Sequence, residues 1–150
     1  LMLIGWYVQR WWIEDFFRLT KKQGFEVEKS NLRTGLALKR LIHLVYQEGI
    51  KVMTLRQGRS LEQEPCSIVF TAQEVELLHR LAPQLEGQSS YQKNPFPDES
   101  LAWATWFIAR LGGWTARQMD NRPPGIITIL RGYRKFKEIL VGFQLISSPP

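Results

Sequence analysis

The 150-residue sequence predicts a mainly α-helical protein. Three observations carry that expectation. The run from Trp6 to Gln23 contains no Gly or Pro, and its side chains sort into two faces at helical pitch. Two further long stretches place apolar residues at helical spacing. Start and stop residues stand where helices need them, among them the capping box Thr71-Ala72-Gln73-Glu74. With 44% hydrophobic and 12% aromatic residues, the chain can build a core and is not a disordered tail.

The first helix is expected to end at Gly24, a natural C-terminal stop. With Tyr7 at zero, Arg10 projects at about −60°, Lys21 at about −40°, Glu14 at about −20° and Arg18 at about +20°. Trp6, Trp12, Ile13, Phe16, Phe17 and Leu19 take the opposite side, an apolar wall. The polar face admits two readings. It is a solvated face laced by i,i+4 pairs, Arg10 with Glu14 and Glu14 with Arg18. Alternatively it is a phosphate-binding line, since Arg10 to Lys21 spans about 16 Å, the reach of successive backbone phosphates. In the second reading Glu14 needs a divalent cation to offset its repulsion of phosphate.

Glu26 and Glu28 alternate with Phe25 and Val27 like an exposed edge. Asn31 is an N-cap candidate for a long packing helix over about residues 32–57, with Gly49 a candidate kink. Its cations Arg33, Lys39 and Arg40 read as a solvated face. Cys66 to Phe70 is a short strand or a buried tether. The capping box opens a helix stopped by Pro83, and the stretch 87–97, Gly-Gln-Ser-Ser-Tyr-Gln-Lys-Asn-Pro-Phe-Pro, reads as an exposed linker. A helix from Asp98 or Ser100 ends at Gly112-Gly113, and a last one covers about residues 126–141. The expected domains are therefore 1–86 and 98–150, joined by 87–97.

One cysteine, Cys66, excludes an intramolecular disulfide and suits a reducing cytoplasm. Cys66, His43 and His79 lack zinc-site spacing and read as structural residues. No apolar run reaches membrane-spanning length, so no membrane partner is expected. The net charge of +6 suits a polyanion only weakly; its distribution says more. The first helix and residues 110–137 are basic, whereas Glu62, Glu64, Glu74, Glu76 and Glu86 make the middle acidic. Two basic zones mean two DNA contacts, or one contact and one solvated face.

Tyr7-x2-Arg10-x3-Glu14-x6-Lys21 resembles, at full spacing, the Y-R-E-K signature of the insertion-sequence-four family of transposases, which includes the transposon Tn-five type. More weakly, residues 109–114 and 124–132 resemble the C-terminal dimerisation region of the same proteins. The resemblance implies the C-terminal helices of an RNase H-like catalytic domain, its sheet largely missing, followed by a helical C-terminal subdomain. It implies that Glu14 is the third carboxylate of an Asp-Asp-Glu triad that holds Mg²⁺ or Mn²⁺. Tyr7, Arg10, Lys21 and, less firmly, Arg18 would then contact phosphates of double-stranded DNA at the transposon ends.

The family's activity is cut-and-paste transposition by two-metal phosphodiester cleavage and strand transfer. Its two Asp ligands belong before Leu1, so the chain is expected to be a fragment or truncated product, inactive alone. It would be cytoplasmic, nucleoid-associated when DNA-bound, and would form a homodimer through its C-terminal helices. The alternative is a non-enzymatic helical module or regulator derived from a transposase.

Overall fold

The computed structural model describes residues 2–21, 25, 27–115 and 123–147, with backbone alone at 2–9, 11, 91 and 147. Among them are five α-helices and no strand, a mainly α fold: α1 Met2–Lys21, α2 Gly35–Gly58, α3 Ala72–Leu85, α4 Leu101–Leu111 and α5 Ile126–Ser147. None of these is long and apolar enough to cross a membrane. By internal packing the chain forms two units, Leu1–Met53 and Thr54–Pro150.

In the first unit, α1 meets α2 through aromatic contacts. The Phe16 ring lies edge-on to Tyr46 at 5.1 Å. Gly49 is not a kink but a place of close approach inside a continuous helix: a Cβ there would come within 2.9 Å of Phe16 Cε2. The start of α2 differs from the expected one. Asn31-Leu32-Arg33-Thr34 offers two competent caps three residues apart, and the second is used. Thr34 Oγ1 accepts the Ala37 N–H at 3.3 Å, and its carbonyl accepts that of Leu38. The expected stop at Gly24 lies outside the described residues.

The second unit is built around α4. Every residue from Leu101 to Ala109 is buried, as expected of a helix that is apolar all round. Ser100 caps it by accepting the Trp103 N–H at 3.1 Å, and Gly113, at φ +92°, follows its end where a side chain would be strained. The α5 helix packs along it at very short range, because Gly132 and Gly112 remove the side chains that would hold the backbones apart. Phe136 of α5 reaches Phe70 edge-on at 5.5 Å.

The α3 helix covers another side of α4 and opens with the anticipated box. Thr71 Oγ1 accepts the Glu74 N–H, while Glu74 Oε2 accepts the Thr71 N–H at 2.8 Å. Lys137 completes the cluster, donating to Glu74 Oε1 at 3.0 Å. The helix does not stop at Pro83 but runs on to Leu85. Proline withholds one N–H and crowds the carbonyl four residues back, but close to the helix end the turn is kept by Glu86, which donates to Ala82 at 3.0 Å.

Cys66–Ile68 is a 3₁₀ turn rather than a strand, with Cys66 buried. Its backbone is tied by the Cys66 N–H to Glu99 carbonyl and the Leu101 N–H to Glu64 carbonyl, at 2.8 and 2.7 Å. Residues 87–97 lie inside this unit. Asn94 anchors them, donating its amide N–H to Glu86 at 3.0 Å and its side chain to the Trp103 carbonyl at 3.1 Å.

Candidate nucleic-acid interface

The α1 helix is continuous from Met2 to Lys21, so residues 10, 14, 18 and 21 share one face. All four are exposed: 70% of the Arg10 side chain is accessible, 50% of Arg18 and 51% of Lys21. Each cation has a carboxylate partner. Arg10 Nε donates to Glu14 Oε1 at 2.9 Å. Arg18 reaches Asp15 at 3.0 Å rather than Glu14, because three residues back is as close as four on a helix. Lys21 lies 3.6 Å from Glu28 and 5.3 Å from the centre of the Phe17 ring. The side chain of Tyr7 lies outside the described residues.

These pairs decide how available the face is. Exposed ion pairs contribute about 0–1 kcal/mol and are screened by salt. A phosphate oxygen can therefore replace a carboxylate at little cost, particularly where Arg10 offers its fork. The opposite side of α1 is only partly covered. Leu19 is buried, Trp12 and Phe16 are half-buried and Ile13 stands exposed, while Phe17, exposed and one turn before Lys21, flanks the cation face instead of opposing it.

Glu14 does not by itself fit a divalent ion. Its carboxylate is engaged by Arg10, the adjacent Asp15 turns to Arg18, and a two-metal centre needs several converging carboxylates. Among the described residues, no three His, Cys, Asp or Glu side chains converge in that way.

The second basic zone is less uniform than its sequence. Arg110 is structural: Nε donates to the Leu85 carbonyl at 3.0 Å and Nη1 to those of Trp114 and Thr115 at 3.1 and 2.9 Å. Lys137 belongs to Glu74. Arg131, Arg134 and Lys135 are exposed on α5.

A feature that sequence reasoning missed is a recess of about 860 Å³, with Glu62, Glu64, His79, Asp98 and Glu99 at its rim and Phe70 in its floor. His79 Nε2 lies 3.2 Å from Glu99, and its ring tilts against Trp103 at 4.8 Å. The acidic middle of the chain was the available signal, but the turn at Pro97–Ser100 that closes the recess was not visible in it. No protein-family model matches the chain, and no curated protein does.

Proposed function

We propose that this chain is a C-terminal piece of a cut-and-paste DNA transposase lineage that binds the backbone of double-stranded DNA through α1 and does not cleave it alone. The observation that carries the reading is the exposed line Arg10, Arg18 and Lys21 on one unbroken helix, in the register of the Y-R-E-K signature. Arg10 and Lys21 clamp successive phosphates, and Arg18 adds a third positive charge between them. Tyr7 belongs to the same signature and supplies a hydroxyl donor. Glu14 holds Arg10 in place and, in a complete active site with two further Asp ligands, would serve as a ligand for Mg²⁺ or Mn²⁺. The test is binding of the full chain to duplex DNA against an Arg10→Glu/Lys21→Glu variant; equal affinity would sink the reading.

A second observation favours self-association. The last turns of α5 carry Leu145 and Ile146 with 76% and 87% of their surfaces exposed, beside Val141. Such a patch suits a homodimer through the C-terminal helices, the non-enzymatic module or regulator of the alternative reading. Sedimentation of wild type against Leu145→Asp/Ile146→Asp checks it. A dimer lost in the variant is the expected result, and a monomeric wild type would contradict it.

A further inference from the structure

The first half of α2 presents a second cationic face, within the first unit. No Asp or Glu stands between Glu28 and Glu48, a stretch that includes Arg33, Lys39 and Arg40. On the helix, Leu36, Lys39, Arg40, His43 and Gln47 fall within about 100° of one another, roughly opposite the buried Val45 and Val52. All five are exposed, as is Arg33 just before the helix.

This face differs from that of α1 in its pairing. Each described cation on α1 meets a carboxylate, which a phosphate would have to displace. Three and four positions from Lys39 and Arg40 stand Gly35, Leu36, Ala37, Ile42, His43 and Leu44, none of them acidic. Among the described residues no carboxylate pairs with Arg33, Lys39 or Arg40. Lys51, farther along the same helix, shows the contrast: it lies 3.3 Å from Glu48.

The start of α2 adds to the positive potential. Thr34 Oγ1 accepts the Ala37 N–H, but the first turn holds no acidic residue. Asp or Glu there ordinarily offsets the positive end of the helix dipole, and Arg33 stands beside it instead. Local stability disfavours that arrangement, and a bound polyanion would relieve it. A phosphate backbone meets these cations by displacing water and counterions alone. A lipid surface would call for an apolar stripe on the same side, and of the five residues on this face only Leu36 is apolar.

We infer that the N-terminal half of α2 is a second contact for the backbone of double-stranded DNA, made by Arg33, Lys39 and Arg40. The inference rests on the duplex-DNA reading proposed for α1 and adds a helix to it. The test is a salt series of duplex DNA binding by the full chain. Lys39→Ala/Arg40→Ala should bind more weakly, with a slope of log K against log salt shallower by about two units, and Arg33→Ala by about one. The charge-keeping swap Lys39→Arg/Arg40→Lys, and Lys51→Ala at the paired cation, should keep the wild-type slope. An unchanged slope in Lys39→Ala/Arg40→Ala overturns the assignment, and so does an equal loss in Lys51→Ala, which would reduce the effect to net charge. Binding to phosphatidylserine vesicles that needs Lys39 and Arg40, with DNA binding intact, would make the face a membrane surface and overturn it as well. Arg10→Ala/Lys21→Ala, measured alongside, separates the two claims. A slope that depends on Lys39 and Arg40 alone removes the α1 contact and keeps this one, and a slope that depends on Arg10 and Lys21 alone does the reverse. No binding by wild type ends both. The replaced side chains are exposed, and Lys39→Gln/Arg40→Gln repeats the charge loss should the alanine variant fold poorly.

Discussion

Replacing Gly132 by Ala puts the packing account under direct strain. A Cβ at this position would lie 1.8 Å from the Ile108 carbonyl oxygen and 2.8 Å from the Gly112 nitrogen. Both are backbone atoms of the α4 segment and cannot rotate away. The two helices would have to part by roughly 1.5 Å, at an overpacking cost of about 3 kcal/mol. Alanine's better helix propensity returns about 1 kcal/mol, leaving a net loss of about 2 kcal/mol. For a unit of ~100 residues that lowers Tm by roughly 10 °C. Gly142, on the same helix, is the control, because nothing lies within 4 Å of the Cβ it would gain. Gly142→Ala should raise stability by about 0.5–1 kcal/mol. Calorimetry of the two variants should therefore show shifts of opposite sign. If Gly132→Ala melts with or above wild type, α4 and α5 do not pack as described.

Two predictions concern ionisable groups. Burial alone would raise the Glu74 pKa, but hydrogen bonds from the Thr71 N–H and Lys137 outweigh it and hold the carboxyl below the ordinary value. A depressed folded-state pKa stabilises above the unfolded pKa of about 4.3 and is lost as pH falls through the folded value. Glu74→Gln should thus cost about 1–3 kcal/mol at pH 7 and progressively less below pH 4.3, read as Tm against pH; a constant gap would contradict this. Burial, then the Glu99 charge, pushes the Cys66 thiol up to about 11. At pH 8 its alkylation should run on the order of 100-fold slower than in denaturant, and a rate typical of a free thiol would contradict its burial.

Much of the second unit was legible because its signals are local. The Thr71/Glu74 box and the Gly112-Gly113 stop each need only a few neighbouring residues and stand where the sequence put them, and of the two starts it offered for α4, Asp98 and Ser100, the second is the cap. Three boundaries were not. Asn31 and Thr34 are rival caps that local preference does not separate. Pro83 removes one hydrogen bond near a helix end, too little to stop α3. Helix α5 continues through Gly142 to Ser147 because contacts from α3 support its last turns: Arg80 lies over the Phe143 ring at 5.0 Å, and Gln144 donates to Gln73.

The face on α1 was readable from the 3.6-residue period, which a continuous helix preserves. Its actual pairings were less so. Arg18 choosing Asp15, and Lys21 reaching Glu28 beyond the helix end, depend on rotamers and on a chain turn. The hydrogen bond from Arg59 to the Pro124 carbonyl was invisible in the sequence, since the two residues stand 65 positions apart.

The most direct test of the central claim is the salt dependence of duplex DNA binding by the full chain, wild type against Arg10→Ala/Lys21→Ala. Each phosphate contact contributes about −0.9 to the slope of log K against log salt. If Arg10 and Lys21 each hold a phosphate, the double variant should bind more weakly with a slope shallower by about two units. An unchanged slope, or no binding by either protein, would mean that the α1 face is a solvated salt-bridge surface and not a DNA contact.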